Sequence, residues 1–512
     1  MVKVSVIVPV YNPGRLIDQL LASLARQSMT PEDFEVVFVD DGSSDGTERR
    51  LDTLADTAPN VRVIHIPNSG WPGRPRNVGI DAAEGDFVLF VDHDDELGDE
   101  ALERMYDYAT INSSDVVIGK EGRRNKTWGT GPLFVRNRPK ATLEHDPALL
   151  LLLTPHKLFR RDFLREHDLR FLEGPRRLED HAFVMSAYFR ARVISVLADY
   201  TCYHWHLRHG SAGRRPYVWP DYYASLRDTL DVVEENTTPG PFRDRLLTHW
   251  YRTKGLRRLG PGFADRSEQD ARALFDALHE LTLERFPPRL DEQQLRGLMR
   301  LRAALLRAGA FAELRELAKA EATMSLGEQV DDVRVSGDGL ELTVTATLCD
   351  GDGSPVHLEE DGGRFYLASP VALGGLDLPR TALDMTASYE RMSLTVYARH
   401  HSGDQRFALP GSSSAVAVRA DGLLPVRATA RVSLDPSVVE EGRAMSSGSW
   451  WLQAELTFGG VVVNGPIRSR RVSATFGRWN ATVSGGRPLF GRLATLGRSV
   501  RVIRRLTAGK NR

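Results

Sequence analysis

Residues 86–97, which read D-F-V-L-F-V-D-H-D-D-E-L, constrain the fold of this chain most strongly. The apolar first part, residues 87–91, is typical of a strand buried on both faces in a sheet with helices on either side. Four carboxylates and a histidine follow at once, at the edge of the sheet where open α/β folds bind ligands. These acids repel one another unless a cation or a metal-bound phosphate lies among them. A solvated acidic turn is the alternative, and the surrounding sequence has to decide.

Strand and helix signals alternate from residue 3 to residue 120, which predicts a mostly parallel sheet. The predicted strands cover residues 4–10, 34–39, 61–66, 87–91 and 114–120. Between the first two, Leu16, Leu20, Leu21 and Leu24 give the connecting segment the apolar face of a helix. The sequence therefore predicts a Rossmann-like α/β domain at the start of the chain.

Polar groups stand at successive strand ends, and parallel strands bring such ends together at one edge of the sheet. These residues are Pro9, Tyr11, Asp41, Asn68, Arg76, Asp92 and Asp94. An aspartate can hold a base or a ribose hydroxyl, an arginine can bind phosphate, and a D-x-D can carry a divalent cation between two phosphates. The two commonest nucleotide-binding fingerprints, G-x-G-x-x-G and G-x-x-x-x-G-K-[ST], follow none of these strands. The set predicts a different site for a nucleotide diphosphate and a metal ion.

Three motifs in residues 4–97 carry a resemblance to a known family: V-S-V-I-V-P-V-Y-N, V-V-F-V-D-D-G-S-S-D-G-T and F-V-D-H-D-D. They resemble the inverting glycosyltransferases of family 2, which have the GT-A fold. The resemblance implies that Asp41 helps to hold a uracil base, that Asp92 contacts the nucleotide, and that Asp94, with Asp92, binds Mn²⁺ or Mg²⁺ on the diphosphate. Residues 68–77, N-S-G-W-P-G-R-P-R-N, resemble the corresponding loop of the wall teichoic acid N-acetylglucosaminyltransferases. This implies a UDP-sugar donor, UDP-N-acetylglucosamine, and a poly(ribitol phosphate) acceptor.

Residues 154–160 and 179–183 resemble the same enzymes in order and spacing. Inversion requires a carboxylate that takes the proton of the acceptor hydroxyl as this hydroxyl attacks the anomeric carbon. We predict that Asp180 is this base, and that Glu179 orients the acceptor or keeps the proton affinity of the pair raised. The alternative is a helix N-terminus, where acids favour the helix dipole, and the two interpretations are compatible.

Residues 201–216 form a basic segment without any acid, which contains His204, His206, Arg208, His209, Arg214 and Arg215. A solvated loop is one interpretation. The other is a mobile loop that folds over the donor diphosphate and excludes water. In that case Arg208 binds the donor, Arg214 and Arg215 contact the acceptor, and either His206 or His209 completes the coordination of the metal.

A second basic patch consists of Arg123, Arg124 and Lys126. Arginine and lysine at this spacing suit the phosphates of a poly(alditol phosphate) acceptor. An exposed loop without a ligand is the alternative.

The remainder of the chain divides into regions of different texture, and 512 residues suffice for two to four domains. We predict a GT-A domain over residues 1–216, a helical linker over 217–326 and an immunoglobulin-like β-sandwich over 327–478. The linker shows helical leucine spacing from Leu295 to Leu306, and the sandwich shows period-two alternation from Leu340 to Leu348. The resemblance implies that the sandwich forms homo-oligomers, in particular trimers. A lectin-like role in holding the acceptor is the competing interpretation.

Residues 479–512 form a basic tail in which apolar residues recur at three- and four-residue steps. The pattern predicts an amphipathic helix that lies on an anionic membrane surface. A disordered tail, or a helix docked on the sandwich, is the alternative. No apolar run approaches the roughly 20 residues needed to cross a bilayer, and no cleavable signal is present. We therefore expect a soluble cytoplasmic protein that does not extrude its own polymer. Contact of the tail with the inner face of the cell membrane is compatible with this expectation.

Composition is that of an ordinary globular protein, since 41% of the residues are apolar and 26% charged. Two cysteines exclude a disulfide framework, and a net charge of −1 gives no reason to expect nucleic acid as a partner. We predict a metal-dependent inverting glycosyltransferase that acts on a cell-envelope polyol phosphate. A family 2 enzyme for capsular or exopolysaccharide repeats, and a non-catalytic nucleotide-sugar-binding assembly protein, are the rival hypotheses.

Overall fold

The computed structural model describes ten stretches of the chain: residues 1–123, 132–206, 216–336, 339–368, 376–400, 406–416, 422–434, 450–467, 473–476 and 479–482. Its contacts divide the chain into two compact units, Met1–Leu247 and Thr248–Arg512. The first helix of the predicted linker belongs to the first unit. The four-part division predicted from the sequence stays a prediction.

Unit 1 alternates strands and helices as predicted. Its strands are β1 (Val4–Val10), β2 (Phe34–Asp40), β3 (Val61–His65), β4 (Phe87–Phe90), β5 (Glu96–Leu97), β6 (Val116–Arg123), β7 (Arg138–Ala141), β8 (Leu158–Arg160) and β9 (Ile194–Trp205). The helices are α1 (Ile17–Ala25), α2 (Thr47–Thr57), α3 (Gly73–Ala82), α4 (Ala101–Asn112), α5 (Arg161–Glu166), α6 (Glu179–Arg190), α7 (Trp219–Glu235) and α8 (Pro241–Trp250), of which α8 continues past residue 247.

The strands of unit 1 form one sheet in the order β3-β2-β1-β4-β8-β6-β9-β5, with β7 paired to β9. The first four are parallel, as predicted, and every residue of β1 and β2 is buried. Apolar runs of this kind suit strands covered on both faces. Beyond β4 the sheet is mixed, because the short strand β8 pairs antiparallel with both β4 and β6. The α/β class predicted for this part of the chain is confirmed.

The parallel half fixes the position of the strand ends. Val10 pairs with Asp40, and Asp40 pairs with His65, so the loops after β1, β2 and β3 leave the sheet at the same edge. β4 pairs with β1, and the acidic residues that follow it reach the same edge. Gly42 has a φ of +73°, and a Cβ there would lie 2.9 Å from the backbone nitrogen of Asn68. Only glycine allows the loops after β2 and β3 to approach so closely.

Unit 2 begins with helices and continues with strands. The helices are α9 (Glu268–Arg285), α10 (Arg289–Gln293), α11 (Gly297–Arg307) and α12 (Phe311–Thr323), with the short α13 (Thr386–Glu390) among the strands. Single turns of other helix types connect α8 to α9. The predicted leucine face is confirmed, since Leu298, Leu301 and Leu305 on α11 are all buried. These helices pack on an apolar stripe, as the sequence period requires.

The strands of unit 2 are antiparallel and form several sheets. They are β10 (Ser325–Ser336), β11 (Gly339–Cys349), β12 (His357–Asp361), β13 (Arg364–Leu367), β14 (Ser393–His400), β15 (Arg406–Ala408), β16 (Gly411–Ala415), β17 (Leu424–Pro425), β18 (Arg427–Leu434), β19 (Trp450–Phe458), β20 (Val461–Pro466), β21 (Ser473–Phe476) and β22 (Trp479–Thr482). The sheet β10-β11-β18-β16 packs on the sheet β15-β14-β19-β20. Leu342, Val344 and Val396 lie in the core between them.

The β-rich character predicted for this region is confirmed, and the turn at residues 350–353 is present, with Gly353 N donating to Asp350 O. A basic amphipathic tail was predicted for residues 479–512, but Trp479–Thr482 form strand β22. The rest of the predicted tail, residues 483–512, lies outside the described residues. Among the helices that the structure describes, none combines the length and the apolar character of a transmembrane span.

Candidate active site

The loops after β1, β2 and β3 are joined at the sheet edge around Asp41, which is buried. The carboxylate of Asp41 accepts hydrogen bonds from Ser69 N at 2.8 Å and Ser69 Oγ at 2.9 Å. The side-chain amide of Asn68 donates to the carbonyl oxygen of Asp41 at 2.8 Å. Tyr11, the residue that follows β1, is 44% exposed. The structure thus brings Asp41 and Asn68 together and leaves Tyr11 accessible to a ligand.

The loop after β4 is tied to the same edge by His93. The Nδ1 of its imidazole lies 3.2 Å from the carbonyl oxygen of Pro9 on β1. Pro9 therefore contributes a backbone group that holds the acidic turn in place, in addition to any contact with a nucleotide.

Arg76 on α3 joins two acidic residues, Asp92 and Glu179, that are 87 positions apart in the chain. Its guanidinium donates to Asp92 Oδ1 at 3.0 Å and to Glu179 Oε1 at 3.1 Å, and it lies over the ring of Phe171. Only 4% of Arg76 is exposed. Burial alone would lower the pKa of Arg76, but the carboxylates of Asp92 and Glu179 raise it. Arg76 was predicted to bind donor phosphate, and the structure shows it already engaged with two carboxylates.

The loop that carries Arg76 is itself fixed to the segment before α6. Asn77 accepts a hydrogen bond from Phe171 N at 2.8 Å and donates to Phe171 O at 2.9 Å. A Cβ on Gly73 would lie 2.3 Å from the carbonyl oxygen of Leu172, so the first turn of α3 touches this segment directly. Two independent contacts therefore set the distance between α3 and the start of α6.

Glu179 and Asp180 begin α6, after Leu178 has adopted a φ of +63°. Such a backbone is strained for a leucine, and it turns the chain so that Glu179 faces Arg76. Glu179 is buried, whereas Asp180 is half-buried and its Oδ1 accepts the N–H of His181 at 2.8 Å. Burial and the neighbouring Asp180 carboxylate raise the pKa of Glu179, against the opposing effect of Arg76. Glu179 is thus held in place, whereas Asp180 is partly accessible, and the catalytic roles predicted for the two acids stay predictions.

A second group of potential ligand atoms lies beside Asp92. Asp92, Asp95 and His156 each offer one atom, and these three atoms lie within 4.8 Å of one another. Burial lowers the pKa of His156 to about 4, so its imidazole is neutral and suited to metal binding. Two carboxylates and an imidazole form a donor set that divalent transition metals accept. The residues present therefore fit a divalent cation.

Asp95 has further contacts that tie the acidic turn to β9. Its Oδ2 accepts the hydroxyl of Tyr203 at 2.7 Å, and its Oδ1 accepts the backbone N–H of His206 at 2.8 Å. Burial and the charge of Asp92 raise the pKa of Asp95 to about 7. Of the two predicted metal ligands, Asp92 belongs to the group of three, whereas Asp94 is half-buried and lies outside it. His206, one of two histidines considered as a further ligand, has its Nε2 bonded to Glu96 Oε1 at 2.9 Å.

A buried polar layer beneath these residues was not predicted. Glu121 on β6 accepts hydrogen bonds from Thr154 Oγ1 at 2.8 Å and from Trp205 Nε1 at 2.9 Å. Lys157 is completely buried and donates to the carbonyl oxygen of Thr154, and burial lowers its pKa to about 8. Residues 154–157 belong to the motif 154–160 that carries the family resemblance. In the structure they place His156 Nε2 at 3.6 Å from Asp92 Oδ2.

Several predicted binding residues fall outside the described residues, namely Arg124, Lys126, Arg208, Arg214 and Arg215, and so does His209. Arg123 ends β6, where its Cα pairs with that of Trp205. The acceptor-binding assignments therefore stay predictions.

Comparison with known proteins defines the class of this chain. Residues 5–168 match the model of glycosyl transferase family 2. The chain is 31% identical over 281 residues to the putative glycosyltransferase EpsH of Bacillus subtilis, which covers 50% of this chain and 79% of EpsH. The chain belongs to the family 2 glycosyltransferases. Residues 220–318 match a second model, the glycosyl transferase TarS linker domain.

Two curated relatives act on poly(ribitol phosphate). The poly(ribitol-phosphate) beta-glucosyltransferase of Bacillus spizizenii is 38% identical over 234 residues, which is 45% of this chain and 37% of that protein. The poly(ribitol-phosphate) beta-N-acetylglucosaminyltransferase TarS of Staphylococcus aureus is 38% identical over 229 residues, which is 44% of this chain and 40% of TarS. The chain thus aligns with less than half the length of these two relatives.

Solved structures of TarS share this architecture. TarS 1-349 in complex with UDP-GlcNAc superimposes with a TM-score of 0.59 at 27% identity, covering 73% of this chain and 98% of the TarS fragment. A longer TarS structure matches 96% of this chain with a TM-score of 0.55 at 22% identity, which shows the fold. The GT-A domain, helical linker and β-rich region predicted from the sequence correspond to the architecture of TarS.

Proposed function

We propose that this chain transfers N-acetylglucosamine from UDP-N-acetylglucosamine to a ribitol hydroxyl of a poly(ribitol phosphate) polymer, with inversion at the anomeric carbon. One observation carries the proposal. A single buried guanidinium, that of Arg76, contacts both Asp92 at the proposed nucleotide edge and Glu179 beside the proposed base. An inverting site must bring the donor and the acceptor close enough for in-line attack. Because Arg76 contacts a residue on each proposed side, the two sides lie next to each other. The proposed acceptor and donor are supported by the similarity to enzymes named for poly(ribitol phosphate) and to TarS in complex with UDP-GlcNAc.

In the proposed reaction, the sheet edge around Asp41 and Asn68 holds the uridine, and Tyr11 covers it. The side chain of Asp180 accepts the proton of the ribitol hydroxyl as the new bond to the anomeric carbon forms and the bond to UDP breaks. Glu179 stays on Arg76 and fixes the direction of α6, so that Asp180 faces the acceptor. Base catalysis of this kind contributes typically about 10²–10⁴-fold to the rate.

We propose that Asp92 and Asp94 hold a divalent cation, Mn²⁺ or Mg²⁺. When bound, such a cation supplies charge neutralisation for the diphosphate leaving group. Both oxygens of Asp95 already accept hydrogen bonds from β9 and the residue after it, so its main role is to position the acidic turn. Asp92 is common to both candidate sets of ligands, the pair Asp92 and Asp94 and the group Asp92, Asp95 and His156.

The two candidate metal ligands can be separated by matched amide variants. We expect Asp94→Asn to weaken Mn²⁺-dependent UDP binding at least about tenfold, because one ligand charge is lost. Asp95→Asn is expected to weaken it less than about threefold. Asp99→Asn is the control, since Asp99 pairs with Arg26 at the surface. Calorimetric titration of UDP with and without Mn²⁺ measures the effect, and the reverse order of the first two variants would assign the cation to Asp92, Asp95 and His156.

The proposed function is tested by a two-step assay with purified protein. Hydrolysis of UDP-N-acetylglucosamine, UDP-glucose and other nucleotide sugars is compared first, in the presence of Mn²⁺. Transfer of the preferred sugar to poly(ribitol phosphate) and to poly(glycerol phosphate) follows. Preference for UDP-glucose would correct the sugar, transfer only to other glycans would support the rival exopolysaccharide hypothesis, and no turnover of any nucleotide sugar would support a non-catalytic binding protein.

A further inference from the structure

Unit 2 contains a cavity of about 280 Å³ between α11, the start of β13 and α13. Its volume is at the lower end of the usual range for ligand cavities, which is about 300–1,000 Å³. Its polar lining consists of Arg296, Arg300, Arg364, Asp384, Thr386 and Glu390. Three arginines in one cavity of a chain with a net charge of −1 require an explanation.

The floor of the cavity is rigid. Arg300 donates to the carbonyl oxygens of Asp291 at 3.1 Å and Thr381 at 3.2 Å, and further to those of Glu292 and Leu295, both at 3.0 Å. These bonds join α11 to the segment that precedes α13. Arg300 is therefore fully engaged as a structural group, and a ligand would meet the other two arginines.

The start of α11 is also locked against the β19–β20 turn. Gly297 has a φ of +54°, and a Cβ there would lie 2.6 Å from Gly459 Cα. The next residue, Leu298, donates its N–H to Gly459 O at 3.0 Å. A Cβ on Gly297 would also lie 2.7 Å from Ser388 Oγ on α13, so two walls of the cavity, α11 and α13, are in direct contact. Such contact favours a preorganised binding site.

The acidic residue Asp384 lies between two of the arginines that line the cavity. Asp384 accepts the N–H of Thr386 at 2.9 Å and lies 3.5 Å from Arg364 Nη1 and 3.7 Å from Arg300 Nη1. The negative charge of Asp384 is therefore partly neutralised by Arg300 and Arg364. Burial lowers the pKa of Arg300, and the nearby Arg296 acts in the same direction, whereas Asp384 opposes the effect. With three arginines against Asp384 and Glu390, the lining side chains carry a formal excess of one positive charge.

Arg296 and Arg364 present their guanidinium groups to solvent. The side chain of Arg364 is 61% exposed, and its contact with Asp384 is long. Arg296 is also exposed, and its Nη1 donates to the carbonyl oxygens of Gln293 at 3.1 Å and Leu295 at 3.0 Å. Guanidinium groups bind phosphate through two parallel hydrogen bonds, and Glu390 at the exposed rim can accept hydrogen bonds from hydroxyls.

We infer that this cavity binds a phosphodiester and the adjoining polyol of the acceptor polymer, at a site separate from the one around Arg76. The inference rests on the proposed function, in which the acceptor is a polyol phosphate. Arg296 and Arg364 hold the phosphate, and Glu390 accepts hydrogen bonds from the polyol hydroxyls. A long polymer then gains affinity through two linked contacts, whereas a short acceptor reaches only the reaction site.

The test uses the full chain and a double variant, Arg296→Gln with Arg364→Gln. Arg380→Gln is the matched control, because Arg380 is an exposed arginine of the same region that pairs with Asp361 and does not line the cavity. We expect the double variant to raise KM for long poly(ribitol phosphate) about tenfold at unchanged kcat, and to leave KM for a single-repeat acceptor and the affinity for UDP unchanged. The control is expected to stay within about twofold of the wild type in each measurement.

The possible results separate this inference from the proposed function. If the wild type transfers sugar to the polymer and the double variant has the same KM, the cavity is not an acceptor site. Direct binding is measured as well: if the double variant lost the same affinity for poly(ribitol phosphate) and for inorganic polyphosphate, which has no hydroxyls, the cavity would be only a non-specific anion patch. If the wild type transfers to no polyol phosphate, the proposed function itself fails.

Discussion

Replacing Asp180 with asparagine is expected to lower kcat for sugar transfer about 10³-fold and to leave the affinity for the UDP-sugar within about twofold. Asparagine has the same shape as aspartate but cannot take up the acceptor proton, so the loss equals the contribution of a general base, about 10²–10⁴-fold. The amide oxygen can still accept the N–H of His181, which Asp180 Oδ1 accepts at 2.8 Å. The start of α6 should therefore remain intact.

Two measurements are needed to interpret this variant. Transfer is followed as product on the polymer, and donor affinity is measured separately by calorimetry, so that binding and chemistry are not confused. Asp162→Asn is the control, because Asp162 is 61% exposed on α5 and is not among the proposed site residues. Near-normal turnover of Asp180→Asn would remove Asp180 from the role of base and direct attention to Glu179.

The parallel half of the sheet could be predicted from the sequence because each of its strands has a local sequence signal. β4 is an unbroken apolar run, β1 and β2 are mostly apolar, and the turn residues that follow these strands mark their ends. The mixed half was not foreseen. β8 has only three residues, and its pairing with β4 and β6 depends on contacts across 40 or more positions of the chain, which local periodicity does not contain.

The candidate site shows the same division. Asp41, Asp92 and Asp180 follow strands or begin a helix, so their position along the chain already suggested a ligand. The buried polar side chains of the same region were missed, because Glu121, Tyr203 and Lys157 carry no local signal that separates them from ordinary core polar residues. Arg76 was recognised as a site residue, but its two partners are set by tertiary packing of α3 on the segment before α6.

Arg76→Met is expected to lower the stability of unit 1 by about 3 kcal/mol, in addition to abolishing activity. Removing one partner of a buried ion pair leaves an uncompensated charge and costs typically about 3–5 kcal/mol. Glu179 has a 9% exposed side chain and bears this cost, whereas the side chain of Asp92 is 36% exposed and is partly stabilised by water. The lower end of the range is therefore appropriate. Arg76→Lys keeps the charge but reaches only one carboxylate at a time, so we expect an intermediate loss.

Thermal unfolding of the full chain measures this effect if the transition of unit 1 is identified by its shift to higher temperature with UDP. A loss of about 3 kcal/mol in a unit of this size lowers the Tm of that transition by about 6–12 °C. Arg26→Met is the matched control: Arg26 pairs with Asp99 on the surface, where both side chains are about half exposed, and such pairs contribute about 1 kcal/mol or less. If Arg76→Met and Arg26→Met lowered the Tm equally, Arg76 would not be the group that holds α6 to the acidic strand end, and the approach of Asp180 to the donor would have to be fixed by the contacts of Asn77 and Gly73 alone.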